Sequence, residues 1–454
     1  MEYAVRIILI IFAVVGITFF IKSKDRYRFI ISDTFWVIVP WTLCLFMYYF
    51  SGIHYQVKLE WYVFLYILLF WGSYFLGKCC YKRVHIKILG EDKKRNKIGL
   101  KVNRQKLNLK PLFYFSLISV IIYSIYMVSL NQIILGQTRT FNTNGFATAL
   151  LICSSSSLVI WLYELSYALV YDKKVSWYAY FCMIIFNIPG FITSGRDALL
   201  IFIISTCIVL IYSGNVSKKI MKNKGKTYSS IKKKLLLSFI PIMIYLVFLT
   251  SSRYGISAIK QFMWAGGCTF PSYLEFIYYN LGGLGKLILN AVFYYSSQFS
   301  KLSLIFQNYK GPYLGGLYQL HYISRLLPTS WNLNYTLVIE GIAEAVNNSN
   351  VPGMRPFWET VIGYFIYDFG RYGAITMSFV LGIVIQWIKQ NIMTLKSILN
   401  ILIYAFISLG FFIAIQFSPF FDYYFIFPLF WIIVLKLYVK NKYKKEIPKK
   451  ESRL

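Results

Sequence analysis

Arginines are the residues of this chain whose placement points most directly to chemistry. Seven of the 13 arginines, but only five of the 35 lysines, fall in segments that the hydropathy pattern places on the outer side of a membrane. The seven are Arg6, Arg139, Arg196, Arg253, Arg325, Arg355 and Arg371. Lysine excess on the inner side is the usual orienting signal, so the outer arginines need another explanation. Because guanidinium groups bind phosphate oxygens in bidentate fashion, the pattern indicates binding of phosphate or pyrophosphate.

Four of these arginines are the main candidates for contact with reacting groups. Arg196 lies in the polar turn TSGRD, and Arg253 precedes Tyr254 where a long outer segment begins. Arg325 and Arg355 lie close to prolines inside that segment. The predicted substrate-binding residues beside them are Arg139, Arg371, Tyr254 and Glu344. The competing interpretation is structural, because an arginine can also pair with a carboxylate or reach lipid headgroups.

Neighbouring acids provide such structural partners. Asp197 follows Arg196 directly, and Asp368 precedes Arg371 by three residues, which would put both side chains on one face of a helix. Glu164 lies inside a predicted span, where an ionisable residue is a functional candidate by default. Its position near the inner end of that span favours a local pairing role.

A reaction at a hydroxyl group needs a base, and three residues are candidates for it. These are Asp368, His321 and Glu344, of which the last lies one helical turn from Glu340. The residues do not decide among them. The sequence has no DxD-like run, P-loop or dinucleotide-binding fingerprint, which disfavours a cytoplasmic nucleotide-sugar enzyme and an ATPase.

Metal and cofactor chemistry are not indicated by the composition. The chain has seven scattered cysteines and three histidines, without the spacing of a zinc or iron site or of a disulfide framework. We therefore expect no metal and no cofactor.

Eleven apolar runs of membrane-spanning length must position these residues. They cover about 4–21, 29–50, 61–77, 111–130, 146–171, 176–193, 198–213, 235–251, 362–388, 398–417 and 423–439. The basic loops between them alternate sides, which places the N-terminus outside and the C-terminus in the cytoplasm. The predicted fold is an all-α polytopic membrane protein. The basic inner loops suit anionic lipid rather than nucleic acid.

The predicted domains follow from one long outer segment, which interrupts the regular alternation of spans and short loops. Residues 1–251 form a bundle of about eight spans, 252–361 a large outer loop, 362–439 the C-terminal transmembrane helices and 440–454 a basic tail. The large loop is rich in aromatic residues, leucine and glycine, so it must pack on itself or on the membrane. Residues 276–306 could form an interfacial helix or a re-entrant segment, and Lys286 and Lys301 argue against a full span.

Three stretches resemble the oligosaccharide repeat-unit polymerases, the Wzy or O-antigen polymerase family, which are relatives of the O-antigen ligases. The stretch TSGRDALL at 193–200 resembles the family's Ser-Gly-Arg turn. The stretch GGLYQLHYISRLLP at 315–328 is similar to its loop ending in Arg and Pro, and IGYFIYDFGRYGAITMSFVLG at 362–382 is similar to its entry into the span after the loop. The resemblance runs from about residue 110 to 435.

This resemblance implies a metal-independent glycosyltransferase of the GT-C type in the bacterial cytoplasmic membrane. The growing glycan on undecaprenyl pyrophosphate would be transferred to a new lipid-linked repeat unit, with arginines stabilising the departing pyrophosphate. Membrane lipid, a flippase and a chain-length regulator are the expected partners.

Two other functions remain open from the sequence. A ligase that moves glycan to another acceptor would share the same apparatus. A flippase or other polysaccharide transporter would also be multispan, basic and phosphate-binding. The single large outer loop and the lack of an internal repeat disfavour the transporter.

Overall fold

The computed structural model describes residues 6–7, 9–10, 32–89, 106–130, 145–192, 197–221, 267–321, 333–349, 351, 359–393 and 397–446. This part of the chain is about 82% helical, so the all-α prediction is confirmed for it. The helices are α1 Asp33–Phe50, α2 Trp61–Leu89, α3 Lys110–Ser129, α4 Gly145–Tyr171, α5 Trp177–Ile192, α6 Asp197–Met221, α7 Ser272–Asn280, α8 Gly282–Asn308, α9 Leu333–Asn347, α10 Val361–Met393, α11 Ile398–Ile413 and α12 Tyr423–Glu446. Two short strands, β1 His54–Tyr55 and β2 Cys268–Thr269, pair antiparallel.

Nine of these helices coincide with predicted spans. In the described part of the chain, α2, α3, α4 and α10 are long and apolar enough to cross a membrane, while α1, α5, α6, α11 and α12 contain shorter apolar helices of 10–17 residues. The predicted span 235–251 and most of 4–21 lie outside the described residues. The helices are those of a membrane-embedded protein. The total of eleven spans and their orientation stay predictions.

The described helices pack around two main cores. One core joins α1, α2, α8 and α10, and the other joins α3, α4, α5, α6 and α12 with most of α11. Helix α8 belongs to the predicted outer loop, yet its second half, from Ser296 to Ile305, is buried in the first core. The domain boundaries predicted from sequence stay predictions, but α8 packs as an integral helix of this core.

Helices α2 and α10 make the most extensive contact in this part of the structure. Two glycines allow it, because a Cβ on Gly77 would overlap the carbonyl of Phe379, and one on Gly382 would overlap the carbonyl of Tyr74. Small residues let helix backbones approach closely where lipid offers no hydrophobic driving force between helices.

Two sets of contacts join segments that are distant in sequence. The pairing of β1 with β2 joins two segments predicted outside, and the Tyr273 hydroxyl donates to the carbonyl of Ser51 at the same end. Lys106, from a loop predicted inside, and Ser176, at the start of a predicted span, both contact Glu164. The assignment of these segments to two sides of a membrane stays a prediction.

Candidate functional site

A break in helix α10 organises the candidate site. Gly370 has φ 70° and ψ 177°, a left-handed conformation that only glycine adopts readily. A Cβ at this position would lie 3.4 Å from the ring of Tyr313, so the ring packs directly on the break. Asp368 lies two residues before the break and Arg371 lies directly after it.

Asp368 anchors a turn of the preceding outer segment. Its carboxylate accepts the backbone N–H of Tyr318 at 2.9 Å and that of Gln319 at 3.2 Å, and its carbonyl accepts the N–H of Gly315 at 2.8 Å. The side chain is 1% exposed. A buried carboxylate held by backbone N–H groups positions the 315–321 turn. Its predicted role as a base stays a prediction.

His321 closes the same turn in a buried aromatic environment. Its backbone N–H donates to the carbonyl of Tyr318 at 3.3 Å, and its imidazole stacks on Phe421 with centroids 5.4 Å apart. The Tyr318 ring stacks on the same phenyl ring at 5.3 Å, and Ser418 donates to Gln319 at 2.7 Å. The turn is therefore fixed on one side by α10 and on the other by the segment that follows α11.

Arg371 points away from Asp368. Its guanidinium carbon lies 4.8 Å from the centre of the Phe306 ring, and Nη2–H donates to the carbonyl of Gln307 at 3.2 Å. The proposed Asp368–Arg371 ion pair is wrong, because the break at Gly370 destroys the helical spacing on which it depended. Arginine has five N–H donors, and within the described residues one of them is used, so Arg371 can bind an anion.

The other predicted site residues fall into two groups. Glu344 and Glu340 are both exposed on α9, as their spacing predicts, and no hydrogen bond or ion pair joins the Glu344 carboxylate to Asp368 or His321 within the described residues. Six lie outside the part of the chain that the structure describes: Arg139, Arg196, Arg253, Tyr254, Arg325 and Arg355. The Asp197 side chain is likewise not described, so its pairing with Arg196 stays a prediction.

A second polar cluster in the first core was missed by the sequence reasoning. Glu359, just before α10, is 2% exposed, and Lys301 of α8 is 6% exposed. Burial raises the pKa of the Glu359 carboxyl above its usual value and lowers the pKa of the Lys301 ammonium, while their opposite charges counter both shifts. The signal was present in the sequence as a lysine and a glutamate in apolar surroundings.

Glu164 of α4 belongs to a separate cluster and is fully paired. Its carboxylate contacts Lys106 Nζ at 2.7 Å and accepts hydrogen bonds from the hydroxyls of Ser176 at 2.8 Å and Tyr178 at 2.6 Å. The expectation of local pairing is confirmed. This cluster ties the end of the basic 78–110 loop to α4 and α5.

Comparisons with protein-family models, with curated proteins and with solved structures find no match to this chain. Two of the stretches that resemble the polymerases, 315–328 and 362–382, are joined by the hydrogen bonds of Asp368.

Proposed function

We propose that this protein polymerises lipid-linked oligosaccharide repeat units on the outer face of the bacterial cytoplasmic membrane. The N-terminus lies outside and the C-terminus inside. The growing glycan leaves undecaprenyl pyrophosphate and joins a new lipid-linked unit, as in capsule, O-antigen or exopolysaccharide synthesis. The reaction is metal-independent and needs no cofactor.

The observation that carries the proposal is the junction between two of the stretches that resemble the polymerases. The turn at 315–321 and the first half of α10 are separate in sequence, and Asp368 joins them through two hydrogen bonds to backbone N–H groups. Gly370 and Arg371 follow Asp368 by two and three residues, so they lie next to this junction. A shared site made from both stretches supports a common function for them.

Arg371 supplies the chemistry that this reaction needs at the junction. As the glycosidic bond to the carrier breaks, negative charge grows on the departing pyrophosphate, and a fixed guanidinium stabilises that charge. The stacking on Phe306 and the bond to Gln307 hold the group in place. Arg196, Arg253, Arg325 and Arg355 contribute further positive charge, with Arg139 beside them.

The surface glycan of a strain that lacks the gene tests this proposal. We expect glycan of one repeat unit on a gel, because single units still reach the outer face and are still attached. Absence of all glycan would indicate a flippase. Long chains that remain on the lipid carrier would indicate a ligase, and an unchanged ladder would contradict any role in the process.

Complementation of the same strain tests the role of Arg371. Arg371→Lys keeps the charge but loses the planar fork and the ring stacking, so we expect the ladder to stay absent or strongly shortened at normal protein level. Lys58→Arg is the matched control, since Lys58 is an exposed basic residue of another outer loop. It should restore the full ladder.

A further inference from the structure

The Lys301–Glu359–Tyr367 cluster is the most unusual chemical feature of the first core. Lys301 and Glu359 carry opposite charges that interact through the interior, but they form no direct ion pair within the described residues. Tyr367 of α10 is fully buried, and its hydroxyl lies beside the Glu359 carboxylate. Oε1 of Glu359 and the Tyr367 hydroxyl both lack a hydrogen bond of normal geometry.

A purely structural role does not account for this arrangement. A buried ion pair contributes little stability unless its partners touch and their remaining polar atoms are satisfied. The carboxylates of Asp368 and Glu164 are satisfied, because both oxygens of each accept hydrogen bonds. Oε1 of Glu359 is buried without such a bond. Buried ionisable groups of this kind in membrane proteins mark proton relays and functional sites.

The local backbone is built to accommodate the acid. Gly363 lies one turn after Glu359, and a Cβ there would lie 2.7 Å from the Cβ of Glu359. The absence of a side chain at Gly363 therefore leaves room for Glu359 against the first turn of α10. The Val361 N–H donates to the carbonyl of Ala414 at 2.7 Å, which fixes this end of the helix.

The cluster also borders the candidate site. Tyr367 directly precedes Asp368, and its ring centre lies 5.2 Å from that of Tyr318, whose N–H the Asp368 carboxylate holds. In sequence, Glu359 follows Arg355, a predicted ligand of the pyrophosphate, by four residues. The Glu359 carboxylate is thus connected through Tyr367 to the turn that Asp368 anchors.

We propose that the Lys301–Glu359–Tyr367 cluster is a buried proton-accepting site for the glycosyl transfer, with Glu359 as the final acceptor. The inference rests on the proposed function. In the reaction, the anomeric carbon–oxygen bond to the carrier breaks and its electrons leave with the pyrophosphate. The acceptor hydroxyl oxygen forms the new glycosidic bond, and its proton passes to the Glu359 carboxylate. Lys301 keeps Glu359 ionised before the transfer, and Tyr367 orients the carboxylate.

The pH dependence follows from the charges around the cluster. Besides Lys301 and Tyr367, the titratable groups that act on it are Cys268 of β2, beside Lys301, and Tyr318 and Tyr364, beside Tyr367. Because burial raises the pKa of Glu359, the reactive carboxylate form is lost as the pH falls towards that raised value. The rate of polymerisation should therefore rise with pH along a limb that belongs to Glu359.

Membranes of the deletion strain that express each variant provide the test, with their native lipid-linked units as substrate. Glu359→Gln should reduce the rate by about 100-fold or more, the usual contribution of a positioned acid or base, and should abolish the rising limb. Glu359→Asp should keep the limb and shift its midpoint. Glu60→Gln is the matched control, since Glu60 is an exposed outer carboxylate, and it should keep both rate and profile.

The double variant Lys301→Met/Glu359→Gln separates proton transfer from charge pairing, because it leaves no unpaired buried charge. We expect normal protein levels with activity still lost. Recovery of the wild-type rate in the double variant, or a wild-type pH profile in Glu359→Gln, would overturn the proposal.

Infrared titration of the purified proteins gives a readout that does not depend on activity. Asp368 and other buried acids are present in both proteins, so the difference spectrum between wild type and double variant isolates Glu359. It should show the C=O band of a buried carboxylic acid at low pH, and its absence from the difference spectrum would also overturn the inference. If wild-type membranes make no polymer while this band titrates, the proposed function fails and the titration of the cluster stands.

Discussion

At the scale of single residues, Asp368 and Arg371 show how far the sequence can be interpreted. The sequence identified both residues as site candidates at the entry to α10. It did not predict that their side chains point away from each other. A spacing of three residues implies a shared helical face only if the helix continues. Gly370 interrupts it, and the reason is tertiary, because the Tyr313 ring from the outer segment packs on the glycine.

Asp368→Asn tests whether the carboxylate anchors the 315–321 turn. The amide of asparagine would point one N–H donor at the backbone N–H of Tyr318 or Gln319, so a buried hydrogen bond would be lost. We expect a loss of about 1–3 kcal/mol in stability, measured by thermal unfolding of the purified protein. Glu344→Gln, at an exposed position, is the control and should leave the unfolding temperature unchanged. Unaltered stability of Asp368→Asn with full loss of polymer would instead favour Asp368 as the base.

At the scale of elements, hydropathy predicts the spans well because lipid-facing helices need long apolar runs. Nine described helices fall where apolar runs predict them. Hydropathy did not identify α8 as a helix that packs in the core. Its second half carries serines, Gln298 and Lys301, and these are buried against other helices rather than exposed to lipid. Hydropathy measures compatibility with lipid, so it cannot identify a polar helix that the protein itself surrounds.

The contact of α2 with α10 gives a prediction at this scale. Gly382→Ala places a methyl group against the carbonyl of Tyr74, so the two helices must separate. We expect a destabilisation of about 1–3 kcal/mol, seen as a lower unfolding temperature. Gly72→Ala on α2 is the matched control, because a Cβ there meets nothing within 4 Å. It should be neutral or slightly stabilising, since alanine favours helices. Equal effects of the two substitutions would show that close packing of α10 on α2 is not what requires Gly382.

At the scale of the whole molecule, the described contacts join segments that are distant in sequence. The β1–β2 pair and the Asp368 junction join segments predicted outside or at a span entry, and the Lys106–Glu164 pair joins a loop predicted inside to α4. The alternation of loop charge predicts that these contacts lie on opposite sides of a membrane, because the positive-inside rule constrains every loop at once, and this stays a prediction. The junction between the 315–321 turn and α10 depends on long-range packing, which a single sequence does not display.

We propose that this protein alone forms the bond between repeat units. The most direct measurement uses the purified protein in liposomes, with lipid-linked single units extracted from the deletion strain, in the presence of EDTA. We expect a series of longer lipid-linked glycans, with one free undecaprenyl pyrophosphate released for each unit added. Single units that remain unextended, while the protein is folded and the units are intact, would contradict it.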